Sequence, residues 1–299
     1  MKRIALLPQG TVSHEAVAYL FANEEHEFVH YKMISDVFAA TASGKTDYSV
    51  IPIENTIEGS VSLHMDWLIH EVDIPIQAEW VYPSVQNLIG DASQFRVLGG
   101  DGKREAGEEA IDYRKIKKIL SHPVAMAQCT QFLRTYVPHA ELEQVGSTAE
   151  GVKQAKERPG QGVAAIGTRL GAAAHGLDIL KENVTDHQNN FTRFVLIGPD
   201  NIALPKPGRM KTSILVTPPQ DYSGALHQIL SAFAWRRLNL TRIESRPTKK
   251  QLGNYFFYID IEASMDSVLL PAAIAEIEAI GSQVRVLGCY PSYSYDQPK

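Results

Sequence analysis

Asn190-Phe191-Thr192-Arg193-Phe194-Val195-Leu196-Ile197-Gly198-Pro199 marks the place where one architecture ends and another begins. A threonine and an arginine enter a strong apolar strand, Thr192 to Ile197, which Gly198 and Pro199 then stop. Three prolines and little periodicity follow between Pro199 and Pro207, and proline neither continues a helix nor donates to a central strand. A domain boundary is expected there.

Upstream, short apolar runs alternate with helical patterns. Strands are expected at Arg3 to Leu7, Tyr48 to Ile53, Ile76 to Tyr82, Val85 to Ile89, Lys118 to Ser121 and Gly162 to Ile166, the rhythm of an α/β sheet covered on both faces. Helix starts are legible where Ser35 caps a helix ending at Gly44, where Pro123 sits in a first turn, and where Ser147 with Glu150 forms a capping box. The charged, glycine-rich run from Leu98 to Arg114 reads as an exposed, mobile excursion. Downstream, strand (Ser213 to Thr217), helix (Gly224 to Leu238), two strands (Leu240 to Ser245, Tyr255 to Glu262), helix (about Leu270 to Ile280) and strand (Gln283 to Tyr290) give βαββαβ, the ferredoxin-like order.

Composition narrows the class. The 299 residues are 44% hydrophobic and 21% charged, ordinary for a chain with one large core or two smaller ones. A formal net charge of -5 argues against a general nucleic-acid binder. Two cysteines, Cys129 and Cys289, offer neither a disulfide framework nor a Cys-x-x-Cys site. The apolar run Ile4 to Leu7 ends too soon for a signal peptide, and no stretch is long enough to span a membrane, so a cytoplasmic address is expected.

Ligands of open α/β sheets bind beyond the carboxyl ends of strands, and four polar clusters fall where such ends are expected. Gly10-Thr11-Val12-Ser13 can meet an anion with backbone N–H groups and a hydroxyl, or can be an ordinary glycine turn with a serine cap. Pro52-Ile53-Glu54-Asn55-Thr56, followed by Glu58-Gly59-Ser60-Val61, crowds a carboxylate, an amide and hydroxyls at a strand exit, though Asn and Thr also cap turns. Ser121-His122-Pro123 with Gln128 delivers a hydroxyl and an amide, or a helix cap and a solvent-facing side chain. In Thr192-Arg193 the guanidinium suits a bidentate carboxylate contact, or a paired structural charge. The ten histidines show no metal-ligand spacing, Gly99-Gly100-Asp101-Gly102-Lys103-Arg104 lacks P-loop spacing, and no Gly-x-Gly-x-x-Gly follows the first strand. Neither a metal nor a cofactor is expected.

These pieces in this order resemble the prephenate dehydratase family over nearly the whole chain: Asn190-Phe191-Thr192-Arg193-Phe194, Ile53-Glu54-Asn55 with Gly59-Ser60-Val61, and Ser121-His122-Pro123 with Gln128. Gly224-Ala225-Leu226 and Glu244-Ser245-Arg246-Pro247 resemble the two phenylalanine-binding motifs of that family's ACT domain. Departures are Val12 in place of an aromatic residue, Thr56 in place of a serine, and a longer excursion from Leu98 to Arg114.

The resemblance implies an α/β fold: a catalytic region (1–198) of two lobes like a periplasmic binding protein, the second lobe roughly 78–178, then a linker (199–210) and an ACT domain (211–299). It implies loss of carbon dioxide and hydroxide from prephenate to give phenylpyruvate, with L-phenylalanine as effector and a homodimer or homotetramer as the assembly. Thr192 is the implied donor to the departing hydroxyl and Arg193 a carboxylate ligand. Asn55, Ser121, Gln128, Thr11, Ser13, Ser60, Thr148 and Phe194 are implied contacts that fix the pose. Glu54, a carboxylate beside a dianion, is expected either to be held away in a network that orients Asn55 or to be protonated. Two rivals remain: a non-catalytic amino-acid sensor, and an enzyme of the same family that prefers arogenate.

Overall fold

A computed structural model describes residues 1–22, 24–97, 111–204, 208–220, 222–249 and 255–295. The chain begins with β1 (Arg3–Leu6), α1 (Val12–Leu20), β2 (Glu27–His30), α2 (Ile34–Ala42), β3 (Tyr48–Asn55), β4 (Gly59–Ser60), α3 (Ser62–Asp66), a π-turn at Trp67–Glu71 and β5 (Ile76–Pro83). It then crosses into β6 (Asn87–Gly90), α4 (Ala92–Phe95), β7 (Lys118–Ser121), α5 (Pro123–Ala127), α6 (Thr130–Tyr136), β8 (Glu141–Gln144), α7 (Thr148–Glu157), β9 (Val163–Gly167), α8 (Arg169–His175) and β10 (Asp178–Lys181). It returns through β11 (Phe191–Ile197) and ends with β12 (Arg209–Thr217), α9 (Ala225–Ala234), β13 (Leu240–Pro247), β14 (Tyr255–Ile261), α10 (Leu269–Ala279) and β15 (Gln283–Tyr293).

Two lobes follow from the pairing. The first is the mixed sheet β2-β1-β3-β11-β5, in which β1 runs parallel to both neighbours and β11 antiparallel to both of its own. The second is β10-β6-β9-β7-β8. The second-lobe strands lie between Asn87 and Lys181, so Ile76–Pro83, most of which falls inside the expected span of roughly 78–178, belongs to the first sheet. The apolar run in β11 reflects burial on both faces: Phe194 and Leu196 pack with Trp80 and Val17 under α1, while Val195 and Ile197 pack with Phe38 and Ile51 on the other side.

The C-terminal strands are ordered β13-β14-β12-β15, all antiparallel, with α9 and α10 over one face, as a ferredoxin-like βαββαβ unit requires. Its sheet does not stand alone. β15 pairs in parallel with β5, Ser292 opposite Glu79 and Tyr293 opposite Trp80, so among the described residues ten strands form one continuous sheet. The core is shared too: Leu215, Tyr258, Leu287 and Tyr290 pack with Ile51, Ile53 and Leu68 of the first lobe.

Some local expectations change. The helix expected from a Ser35 cap starts at Ile34 after Met33, whose carbonyl accepts the Asp36 and Val37 N–H groups, so the first turn closes on backbone alone. His122, not Ser121, caps α5, its Nδ1 accepting from Val124 N–H at 3.3 Å. Of the excursion from Leu98 to Arg114, residues 98–110 lie outside the described residues, as do 205–207 of the proline-rich linker; Ile111 bridges to Arg96 and Tyr113–Lys115 form a 3-10 turn. Among the described residues, no helix is long and apolar enough to cross a membrane.

Candidate active site

Between the lobes lies a cleft of about 620 Å³, within the range of small-ligand sites. Its walls are strand exits. From the first lobe come Pro8, Thr11 and Ser13 after β1, Lys32 after β2, Asn55 and Ser60 at and after β3, and Thr192 and Phe194 on β11. From the second come His122 and Gln128 after β7 and Ser147 and Thr148 after β8, while Ser84 and Gln86 line it where the chain crosses. Two longer helices, α1 and α7, begin at the cleft from opposite lobes, and a helix start leaves N–H donors unused and carries partial positive charge. Ser147 Oγ accepts from Glu150 N–H at 3.1 Å and so fixes the start of α7.

Thr192 sits at the centre. Its side chain is nearly buried, and its Oγ1 accepts from Asn55 Nδ2 at 3.0 Å and lies 2.6 Å from Ser84 Oγ. Asn55 is fixed in turn: its Oδ1 accepts from the Ile57 and Glu58 N–H groups at 2.9 and 3.1 Å, and its Nδ2 also donates to Asn190 Oδ1 at 2.8 Å. Asn190 completes the network by donating to Gln128 Oε1 at 2.9 Å and to the Ser84 carbonyl at 3.2 Å, which links both lobes and the crossing segment. Phe194 is stacked on Trp80 with ring centroids 5.7 Å apart.

Thus Thr11, Ser13, Asn55, Ser60, Gln128, Thr148, Thr192 and Phe194 meet at one cleft. Ser121 does not: fully buried, it donates to the Ile166 carbonyl at 2.8 Å inside the second lobe. Arg193 and Glu54 face away from the cleft, because neighbours along a strand point to opposite faces. Arg193 pairs with Glu54 (3.2 Å), Glu79 and Asp260 (2.6 Å). Burial works against its charge, yet the carboxylates of Asp260 and Glu79 hold the guanidinium well above its usual pKa. Alternation along β11 was the signal that separates Thr192 from Arg193.

Sequence reading missed Lys32, Ser84, Gln86, His122 as a lining residue, and the hub role of Asn190. Lys32 follows a strand, Glu27–His30, too short and polar to be recognised, so its strand exit went unseen. His122 is pushed below the usual histidine pKa by burial. Among the described residues, no group of three or more His, Cys, Asp or Glu side chains is placed to hold a metal ion.

In the C-terminal domain, Gly224, Ala225 and Leu226 line a separate cavity of about 350 Å³ with Tyr222, Phe256 and Phe257. Gly224 has φ of 94°, which favours glycine. Glu244, Ser245, Arg246 and Pro247 do not line it: Glu244 and Arg246 turn toward the first lobe, and Ser245 and Pro247 are exposed.

A cleft between two α/β lobes, bounded by strand exits and helix starts and lined by hydroxyl and amide groups, with a ferredoxin-like unit on the same continuous sheet, defines a two-lobed α/β protein with a small-ligand cleft. Residues 4–202 match the family described as prephenate dehydratase. Over 299 residues the chain is 41% identical to a prephenate dehydratase of Bacillus subtilis, covering 98% of this chain and 99% of that protein. The chain belongs to the prephenate dehydratase family. A prephenate dehydratase of Arthrobacter aurescens, solved in complex with L-Phe, matches at 29% identity and a TM-score of 0.81 over 97% of this chain and 89% of that one. A chain described as a quorum-quenching acylase matches at 24% identity and a TM-score of 0.80, covering 97% and 98%, a likeness of fold alone.

Proposed function

We propose that this chain converts prephenate to phenylpyruvate in the cleft between the lobes. The dianion loses carbon dioxide, its electron pair enters the ring, and the ring hydroxyl leaves as hydroxide, so one charge remains on the product and one on the departing group. Aromatisation drives the step, and the protein's task is to orient the dianion and to stabilise the leaving oxygen. The observation that carries this reading is the Thr192 hydroxyl, nearly buried at the cleft between the Asn55 amide and the Ser84 hydroxyl. Asn55 donates to Thr192 Oγ1, and when the Ser84 hydroxyl, which can serve as either donor or acceptor at 2.6 Å, donates as well, the Thr192 proton is left for the substrate.

The starts of α1 and α7 on opposite lobes suit one carboxylate each. Asn55, Gln128, Ser60, Thr11, Ser13 and Thr148 then fix the pose, with Phe194 as an apolar wall. The proposed organisation is a catalytic region through 198, a linker expected to reach 210 but ended by β12 at Arg209, and an ACT-type domain beyond. L-phenylalanine is the proposed effector, in the cavity of Gly224, Ala225 and Leu226, supported by its aromatic lining and by the L-Phe complex of the Arthrobacter relative. A cytoplasmic location suits this biosynthetic role. Exposed Trp235 and Val268 on the C-terminal domain favour self-association as a dimer or tetramer.

The test is phenylpyruvate formation by wild type, Thr192→Ala and Thr192→Ser, with and without L-phenylalanine and with arogenate in parallel. Loss of about 10²-fold or more in kcat for Thr192→Ala, with partial recovery in Thr192→Ser, is expected. Unchanged turnover in Thr192→Ala would remove the hydroxyl from the mechanism, and turnover of arogenate alone would replace the substrate.

A further inference from the structure

We propose that Arg193 and Glu54 are positioning residues, which tie the strands carrying Thr192 and Asn55 to the C-terminal domain instead of holding substrate. This inference rests on the dehydratase reading of the cleft. Each of the two motifs is double-faced: Thr192 and Asn55 line the cleft, while the residue after the first, Arg193, and the residue before the second, Glu54, point to the face on which the C-terminal sheet packs.

Two ionic routes meet there. One runs through β14: Asp260, fully buried, pairs with Arg193 at 2.6 Å and accepts from Ser213 Oγ at 2.5 Å, and Arg193 also pairs with Glu79, which Lys211 contacts at 2.8 Å. The other runs through β13: Glu54 lies 3.6 Å from Arg242, whose guanidinium pairs with Glu244 at 2.6 Å. Glu244 accepts from Ser60 Oγ at 3.1 Å, and Arg246 pairs with Glu244 at 3.1 Å and with Asp66, and donates to the Ser62 carbonyl at 2.9 Å. Ser60 and Ser62 both line the cleft. Any shift of the C-terminal sheet therefore reaches the reacting hydroxyl through one peptide unit and the cleft rim through one hydrogen bond. Because an abandoned partner in a buried ion pair is costly, the network favours moving as a unit.

The test is steady-state kinetics on the full chain with Arg193→Met, Arg193→Lys, Asp260→Asn, Glu54→Gln and the Arg193→Met/Asp260→Asn double variant. Arg193→Met and Asp260→Asn are each expected to lower kcat by about 10²-fold, the loss that a misplacement near 1 Å can cause. KM should stay near its wild-type value, Arg193→Lys should restore part of kcat, and the double variant should lose little more than either single one. Asp260 lies on the far side of the sheet from the cleft, so a substrate contact cannot explain its effect. Should Asp260→Asn fail to fold, Glu54→Gln, partly exposed and nearly isosteric, carries the same test through the second route. A raised KM with intact kcat in Arg193→Met, or wild-type kcat in both Asp260→Asn and Glu54→Gln, overturns the inference. A wild type that turns over no prephenate removes the dehydratase reading instead.

Discussion

At the scale of single residues, the cleft separates jobs that the motifs run together. Thr192, Asn55 and Asn190 form a hydrogen-bonded unit in which each side chain fixes the next, so the Thr192 hydroxyl is oriented without any ligand in the cleft. With Arg193 committed to carboxylates on the other face, Lys32 is the only Lys or Arg among the described residues that line the cleft. An exposed ammonium at the mouth attracts a dianion without entering the chemistry, and its pull is screened by salt. Lys32→Gln is expected to raise KM about tenfold with kcat nearly unchanged, and to flatten the salt dependence of kcat/KM. Titrating KM against sodium chloride for both proteins checks this, and parallel salt curves would exclude Lys32 from substrate capture.

At the scale of elements, the turn from β1 into α1 is held by a histidine that must stay neutral. The Gly10 N–H donates to His14 Nδ1 at 3.2 Å, and the His14 and His30 rings are 4.7 Å apart. Burial, and secondarily the charge of His30, push His14 down to about 4. Between about pH 6.5 and 4 the unfolded chain therefore binds the proton that the folded chain refuses, so stability rises with pH across that window and falls as the solution is acidified. His64 and His122, both lowered by burial, act in the same direction. The expected outcome is a Tm that declines from pH 7 to pH 5, with a shallower decline in His14→Asn, whose amide oxygen can still accept from Gly10. Scanning calorimetry across that range gives the answer, and identical slopes would mean that His14 plays no part.

At the scale of the molecule, the joint between the first lobe and the C-terminal domain is a packed seam. Gly288 permits it: a Cβ there would meet the Ile76 carbonyl oxygen at 2.4 Å and its nitrogen at 2.9 Å, backbone atoms that cannot rotate aside. Gly288→Ala is expected to cost about 1–3 kcal/mol, the usual penalty of overpacking, read as a lower urea midpoint. A wild-type midpoint would show that the seam yields without loss. The lobes also meet at the start of α1, where Thr168 Oγ1 donates to the Gly10 carbonyl at 2.8 Å and Leu170 N–H donates to Glu15 Oε1 at 2.9 Å. A Cβ on Gly10 would sit 2.8 Å from Gly171 Cα, so this contact too depends on the absence of side chains.

By itself the sequence determined the α/β rhythm, the strand Thr192 to Ile197 and the βαββαβ order, because periodicity, caps and short motifs are local and survive without the rest of the chain, whereas a shared site for Thr192 and Asn55, 137 residues apart, was only implied by the family resemblance. It did not determine strands such as β8, whose Glu141–Gln144 lies at an exposed edge and carries little apolar pattern. Nor did it determine the partners of Arg193 and Glu54. Alternation can say that they oppose Thr192 and Asn55, but what covers their face comes from β13 and β14, far along the chain. The single sheet through β15 and β5 was likewise a tertiary decision: a parallel pairing between strands about two hundred residues apart leaves no local mark, since the groups that satisfy it are backbone N–H and C=O, which every residue carries.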